Sequence, residues 1–194
     1  MLRFSTSNEN KKQEIKSATN IEVIAGIDIE EVDSNNFLEV IKYKALDMYK
    51  QTGEEGIIVE DTVLKINGKP VNDIKFRLEE IKENIEEYKE ADVEMIVSVG
   101  VVINNEVFVF TESLEGVIFN ARVDGFAFDP YFYINYKGKI KSLAELKEKG
   151  LKAEVSPRVK VVKRIERYFG GKSAVPNGVF KVDEIKPWSG KYQS

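Results

Sequence analysis

Apolar side chains recur at helical spacing in one stretch of the chain and at strand spacing in several others. Residues 36–51 carry apolar side chains every three or four positions, which predicts an amphipathic helix. These positions are Phe37, Val40, Ile41, Ala45 and Met48. Residues 1–7 predict a short strand that leads into a helix from Glu9 to Ala18, and residues 20–27 predict a second strand.

The middle of the chain is rich in strand signals. Apolar runs at 93–103 and 106–119, separated by Asn104-Asn105, predict a hairpin. Charged helices are predicted at 73–90, at 142–149 with Ser142 as the cap, and at 156–169. Residues 171–194 show little periodicity and predict an appended tail. The alternation of helices and strands predicts one α/β domain over residues 1–170, with a mixed sheet.

Composition narrows the chemistry that this domain can perform. The 194 residues are 42% apolar and 32% charged, which is typical of globular proteins, and the net charge of −4 disfavours a nucleic-acid-coating role. The chain has no cysteine or histidine, which excludes thiolate chemistry and removes the commonest general base and zinc ligand. Catalysis must therefore use carboxylates, lysines, hydroxyls or an oxygen-bound metal.

The apolar runs are too short for a segment that enters or crosses a membrane. The N-terminal segment is too short and too polar for a signal peptide, and no apolar run approaches the roughly 18 residues that a membrane helix needs. We therefore expect a soluble protein of the cytoplasm, without a membrane partner.

Two acids interrupt an apolar run in the middle of the first half. Glu60 and Asp61 follow three apolar residues, and neighbours on a strand point to opposite faces. A buried carboxylate is costly unless it is paired, hydrogen-bonded or bound to a cation. The alternative is that the strand ends at Val59 and both acids are exposed.

A strand that leads into a helix N-terminus is a common anion site. Thr6-Ser7-Asn8 caps the first helix, and Lys11 lies about one turn further along it. The alternative is an ordinary capped surface helix. Glu39 and Lys44, both on the helix at 36–51, are by themselves ordinary surface charges.

Two later segments carry candidate binding residues. Phe126 and Phe128 flank Ala127 and precede Asp129, so two rings and an acceptor could meet a planar base. The alternative is a loop that fills the core. Further along, Lys152 and the segment Ser156-Pro157-Arg158 supply cations near a helix start, although such cations usually remain solvated.

In order along the chain, these segments resemble the inosine triphosphate pyrophosphatase family over about residues 2–170. Thr6-x-Asn8-x-x-Lys11 is similar to its Thr-Gly-Asn-x-x-Lys motif. Further segments resemble its helix, acidic-strand, aromatic-loop and closing motifs: Glu39-Val40-x-x-x-Lys44, Val59-Glu60-Asp61-Thr62, Phe126-Ala127-Phe128-Asp129-Pro130, and Lys152 with Ser156-Pro157-Arg158.

The resemblance implies an elongated mixed sheet flanked by helices, two lobes with a central cleft, a homodimer and hydrolysis of a nucleoside triphosphate to monophosphate and pyrophosphate. It assigns Mg²⁺ to Glu39 and Asp61, and catalysis to Asp61, Glu60 and Lys11. Triphosphate binding would fall to Thr6, Ser7, Asn8, Lys11, Lys44 and Lys152, and base binding to Phe126, Phe128, Asp129, Ser156 and Arg158.

The departures from the family pattern fall in the half that reads the base. Pro157 stands where the family usually has a histidine that donates to the purine 6-oxo group, and Ala127 replaces a glycine expected to need a positive φ. We therefore expect a relaxed or shifted base preference. The alternatives are a nucleotide-binding sensor without turnover, and an interaction protein that acts through its tail. If the chain is an enzyme, deleting the tail should leave hydrolysis unchanged.

Overall fold

The computed structural model describes residues 1–72 and 74–193, and the chain divides into two compact units. Unit 1 comprises Met1–Thr62, Val97–Glu112 and the chain from Arg158 onward. Unit 2 comprises Val63–Ile96 and Ser113–Pro157. Among the helices described, none combines the length and the apolar character that crossing a membrane requires.

Helices and strands alternate along the chain. The strands are β1 (Arg3–Ser5), β2 (Glu22–Ile24), β3 (Ile57–Ile66), β4 (Lys69–Pro70), β5 (Asp92–Ile103), β6 (Glu106–Ile118), β7 (Phe132–Tyr136), β8 (Lys139–Ser142) and β9 (Gly178–Lys181). The helices are α1 (Glu9–Ala18), α2 (Phe37–Thr52), α3 (Ile74–Glu83), α4 (Ile85–Tyr88), α5 (Leu143–Glu148) and α6 (Pro157–Phe169). Short 3₁₀ turns lie at Asp129–Tyr131, Lys152–Glu154 and Val182–Glu184.

Within the described residues, nine strands form one mixed sheet, in the order β2-β1-β3-β5-β6-β7-β8, with β4 on β3 and β9 on β6. Strands β2 and β3 both pair with β1 in parallel, whereas β7, β8 and β9 join by antiparallel pairing. The predicted α/β class with a mixed sheet flanked by helices is therefore confirmed. The predicted central cleft stays a prediction.

The core of unit 1 forms where α2 packs on one face of the sheet. The buried side chains of α2 include Val40, Ile41 and Leu46, as its apolar period predicts. They cluster with Ile57 and Val59, alternate residues of β3 that share one face of the strand. The next residue on that face is Asp61, so the strand itself brings a carboxylate to the edge of this core.

The core of unit 2 contains Leu64, Ile81, Phe132 and Leu143 among its buried residues. Helix α5 begins with the predicted cap, because the Ser142 hydroxyl accepts a hydrogen bond from the Glu145 amide and the Glu145 carboxylate accepts one from the Ser142 amide.

Several predicted boundaries match the structure. Helix α2 begins after an Asn36 cap, and α6 covers nearly all of the range predicted for it. Asn104 and Asn105 both adopt positive φ angles, 50° and 61°, as a tight two-residue hairpin turn requires. The helix predicted at 73–90 is instead two helices, α3 and α4, and Asp73 lies outside the described residues.

The described part of the predicted tail is folded onto unit 1. Strand β9 pairs with β6 in register from Gly178 to Lys181. Four apolar side chains beyond α6 pack against the core of unit 1, namely Phe180, Val182, Ile185 and Trp188. The segment therefore differs from the appended tail expected from its weak periodicity, because long-range strand pairing supplies what local pattern does not. Ser194 lies outside the described residues.

Candidate active site

Strand β3 directs its two acids to opposite faces. The strand continues to Ile66, so the alternative in which it ends at Val59 and exposes both acids is wrong. Glu60 is only 7% exposed, and Asp61 is half-buried. Each acid therefore needs its own set of partners.

Glu60 lies at the centre of a buried cluster of charges in unit 1. Its Oε2 accepts from Lys11 Nζ at 2.9 Å and from Arg158 Nε at 3.1 Å. The Thr62 hydroxyl, on the same strand face, donates to Oε1. Burial alone would raise the pKa of Glu60, but the charges of Arg158 and Lys11 hold that pKa well below its usual range. The Glu60 carboxylate is therefore stabilised in its ionised form by the two cations that it binds.

Arg158, near the N-terminus of α6, completes this cluster. Its Nη1 donates to Glu14 at 2.9 Å and its Nη2 to the Thr62 hydroxyl at 3.1 Å. Although burial would lower the pKa of Arg158, the charges of Glu60 and Glu14 raise it. The side chain predicted to read the base edge is therefore held by acceptors on α1 and β3.

Asp61 faces the side of β3 that packs on α2. Burial and the charge of Glu31 raise its pKa to about 6, and the nearby lysines, Lys44 and Lys11, oppose the rise only in part. Lys44 Nζ donates to Glu31 at 2.7 Å and to the backbone carbonyl of Glu60 at 2.9 Å. Asp61 therefore has a raised proton affinity and a lysine close by, an arrangement suited to binding a cation or moving a proton.

Glu39 lies in the first turn of α2, where its carboxylate accepts a hydrogen bond from the Ser34 hydroxyl at 3.1 Å. Within residues 1–72 and 74–193, no three potential ligands of the acid, cysteine or histidine type group together to form a metal site. Magnesium bound with a triphosphate needs only one or two protein carboxylates, because phosphates and waters fill the remaining positions. The half-buried, incompletely neutralised Asp61 fits such an ion.

The segment before α1 is built around its cap. Asn8 Oδ1 accepts from the Lys11 amide at 3.1 Å, and Thr6 Oγ1 accepts from the Asn8 amide at 3.1 Å. Ser7 is exposed, and a Cβ on Gly26 would lie only 2.3 Å from its Oγ. Gly26 therefore provides the space for a serine side chain where the resembled motif has glycine. Thr6, Ser7 and Asn8 thus lie together at the helix N-terminus, as predicted.

The aromatic loop of unit 2 presents one ring and buries the other. Phe126 is 41% exposed, whereas Phe128 is 4% exposed and packs in the core with its ring 5.9 Å from that of Tyr131. In this structure Phe128 fills the core, as the alternative to base binding proposed, and Phe126 has the accessible ring. Ala127 has a φ of 51°, the left-handed conformation expected for the glycine position that it occupies.

Two further candidate residues of unit 2 are paired with each other. Lys152 Nζ donates to Asp129 Oδ2 at 2.7 Å, and both side chains are largely buried. Ser156 is buried at the end of the same unit. The predicted phosphate cation and the predicted base acceptor are therefore partners in this structure.

Sequence reasoning missed three residues of the unit 1 site: Glu14, Glu31 and Thr62. Two of them carry a local signal. Glu14 lies three residues after Lys11 on the same helix face, and Thr62 lies two residues after Glu60 on the same strand face. Glu31 carries no such signal, because it lies in a loop among other acids and meets Lys44 only through the fold.

Comparison with known proteins identifies the family of the chain but not the roles of these residues. No curated protein matches the chain. The model of the Ham1 family matches residues 2–168, which is most of the chain. This is the family of inosine and xanthosine triphosphatases, so the resemblance found in the sequence is confirmed. The chain therefore belongs to the Ham1 family and is a hydrolase that acts on nucleoside triphosphates.

Proposed function

We propose that the chain hydrolyses a nucleoside triphosphate to the monophosphate and pyrophosphate with Mg²⁺, and that it prefers inosine-type, xanthosine-type or other nonstandard purine nucleotides with relaxed or shifted base selection. One observation carries the proposal. Asp61 has a raised pKa and lies near Lys44, on a strand whose other acid, Glu60, holds Lys11. The family match supplies the reaction class.

The chain's own residues divide the work. Asp61 and Glu39 are the carboxylates that would hold Mg²⁺, which would polarise the phosphates and withdraw charge from them. Asp61 orients the attacking water beside the ion. Lys11 and Lys44 of unit 1 stabilise the negative charge that develops on the departing pyrophosphate, and Lys152 is the phosphate-binding cation proposed for unit 2. Glu60 fixes the position of the Lys11 ammonium group, so Glu60 contributes to catalysis only indirectly.

Different residues recognise the phosphates and the base. Thr6, Ser7 and Asn8 present the N-terminus of α1 to the triphosphate. Phe126 stacks on the base, and Asp129 and Ser156 meet its edge.

Base selection is weakened where the chain departs from the family. Pro157 has no side-chain donor for a 6-oxo group, and Arg158 is held by Glu60 and Glu14. Loss of one such contact costs about 1–3 kcal/mol of discrimination. We also propose a cytoplasmic location and a homodimer.

A nucleotide panel tests the reaction. ITP, XTP, dITP, ATP and GTP are supplied with Mg²⁺, and monophosphate with pyrophosphate is measured against diphosphate with phosphate. We expect the first pair of products from several bases, and we expect Asp61→Asn to lower kcat on the order of 100-fold. Asp92→Asn, at an exposed aspartate, is the matched control and should retain activity.

The same panel separates the alternatives. Release of diphosphate and phosphate, or full activity in Asp61→Asn, would contradict the mechanism. Nucleotide binding without turnover would favour the sensor, and a sharp preference for ITP and XTP would refute relaxed selection. For the metal, Glu39→Gln should raise the Mg²⁺ concentration that gives half-maximal activity, and an unchanged value would remove Glu39 from the metal site.

A further inference from the structure

The last residues of the chain form a strap, residues 186–193, across part of unit 1. Its Trp188 ring meets the Tyr43 ring edge-on, with centroids 5.3 Å apart. The Tyr43 hydroxyl donates to the Lys186 carbonyl at 2.7 Å, and Trp188 Nε1 donates to the Lys191 carbonyl at 2.8 Å. The strap is therefore anchored on α2, at the residue next to Lys44.

The end of the strap is hydrogen-bonded to the loop that carries Glu31. The Asp33 amide donates to the Lys191 carbonyl at 2.8 Å, and the Gln193 amide donates to the Glu31 carbonyl at 2.8 Å. Gln193 Nε2 also donates to the Val32 carbonyl at 3.2 Å, and Val32 forms a β-bridge with Tyr192. Three consecutive loop residues are thus fixed by three consecutive strap residues.

Glu31, in turn, fixes the ammonium group of Lys44. The Lys44 Nζ has two acceptors, the Glu31 carboxylate at 2.7 Å and the Glu60 carbonyl at 2.9 Å. The Glu60 carbonyl belongs to the strand that carries Asp61, whereas Glu31 belongs to the strap-bound loop. Because a lysine stem has many rotamers, two fixed acceptors reduce the freedom of the ammonium group before a ligand binds.

We propose that Glu31 is a positioning residue for Lys44, and that strap residues 191–193 hold Glu31 in place for this task. The inference rests on the proposed function, which assigns Lys44 to the triphosphate. The family match ends at residue 168, so the strap lies outside the matched region. Pre-positioning matters because a small displacement of a group that contacts the reacting phosphates costs rate steeply.

This inference reverses one expectation from the sequence. The sequence predicted that removing residues 171–194 would leave hydrolysis unchanged in an enzyme. The hydrogen bonds that join Lys191 and Gln193 to the loop at 31–33 now predict that loss of the last few residues impairs hydrolysis. A shorter truncation is the better test, because Trp188 and Phe180 pack on the core and their removal would disturb folding.

The experiment is a double-mutant cycle between the strap and Lys44. One variant ends after Gly190. It removes the strap contacts to 31–33, and with them the Lys191 carbonyl that accepts from Trp188, but it keeps the Trp188 ring that packs on Tyr43. The matched control ends after Gln193 and keeps every contact described. We expect the first truncation to lower kcat/KM roughly 10-fold with Lys44 present, and to have almost no further effect in Lys44→Met. Glu31→Gln should match the truncation, and the two together should be no worse than either alone.

Separate readouts keep the outcomes distinct. An equal loss from truncation in the Lys44→Met background would overturn the inference, since a merely structural role acts whether or not Lys44 is present. So would unchanged kcat/KM in the truncated chain. Hydrogen exchange of the Asp33 amide should accelerate in the chain that ends after Gly190 and not in the control, and retained protection would refute the hold on the loop. If the full chain releases no pyrophosphate, the proposed function itself fails, whereas the exchange result still decides the contact.

Discussion

Glu60 and Asp61 are neighbours on β3, but their pKa values are shifted in opposite directions. Glu60 is neutralised by Lys11 and Arg158, and these cations keep its pKa far below normal. Asp61, one residue later, is buried beside Glu31 and has a pKa raised to about 6. Strand alternation alone creates this difference, because it turns successive side chains toward different helices. One carboxylate is therefore held between two cations, whereas the charge of the other is only partly offset.

The raised pKa of Asp61 predicts a pH-dependent gain in stability on replacement. The folded chain binds more protons than the unfolded chain between the ordinary value of 3.8 and about 6, so the free energy of unfolding falls as pH rises through that window. Asp61→Asn removes this penalty. We expect the variant to be more stable at pH 8 by up to about 3 kcal/mol, and nearly equal to the parent below the window.

Urea unfolding at both pH values, with a chelator present, measures this effect. Asp92→Asn, which also removes one negative charge, is the control. A difference of equal size at both pH values would show that burial of ionised Asp61 is not its cause.

At this scale, the sequence indicated the need for a partner but not which residue supplies it. The buried position of Glu60 predicted a partner or a bound cation, whereas Lys11 was expected to bind phosphate and not Glu60. Arg158 lies 98 residues away from Glu60, and no local period reports such a distance. Glu31 was equally hidden, since its role depends on a loop whose position the end of the chain determines.

At the scale of the elements, ion pairs link both α1 and α6 to strand β3. Lys11 on α1 and Arg158 on α6 both bind the same Glu60 oxygen, and Glu14 on α1 binds the other side of Arg158. One carboxylate thus ties two helices to the strand. Because the cluster is buried, water cannot solvate the charges that remain when one member is removed.

Removal of this central anion should destabilise unit 1 strongly. Glu60→Gln leaves the charges of Lys11 and Arg158 without their shared partner in a buried setting, so we expect the free energy of unfolding to fall by about 3 kcal/mol or more. The control is Glu54→Gln, which breaks the Arg3–Glu54 pair on the surface and should cost at most about 1 kcal/mol. Chemical denaturation measures both, and equal small losses would contradict the assigned role of the cluster.

Elements with strong local periods were predicted well. Helix α2 and the β5–β6 hairpin follow from the apolar spacing and the Asn-Asn turn. Strand β9 did not, because four residues with little alternation gain their conformation from pairing with β6. The break between α3 and α4 was also missed, since both carry the same charged pattern.

At the scale of the whole molecule, the folded unit 1 extends beyond the part of the chain that the family model matches. The family match stops at residue 168, whereas unit 1 continues through β9 and the strap. The added segment completes an apolar core and reaches the loop beside Lys44. A chain shortened to the matched region would lose these core contacts and the hydrogen bonds to the loop.

The predicted homodimer is a property of this scale. Light scattering coupled to size-exclusion chromatography should give twice the chain mass of 22.1 kDa at micromolar concentration. The chain that ends after Gly190 should behave identically if the strap acts only within its own unit. A single-chain mass across the concentration range would remove the dimer from the proposal.

The three lysines proposed for phosphate each begin with a carboxylate partner: Lys11 with Glu60, Lys44 with Glu31 and Lys152 with Asp129. An incoming phosphate oxygen must therefore share each ammonium group with a carboxylate that is already in place. We expect a small inorganic anion such as sulfate or orthophosphate, which carries little charge, to bind weakly under these conditions. Under the proposed function, we expect a metal-bound polyphosphate, which offers more acceptor oxygens, to bind better than these simple salts.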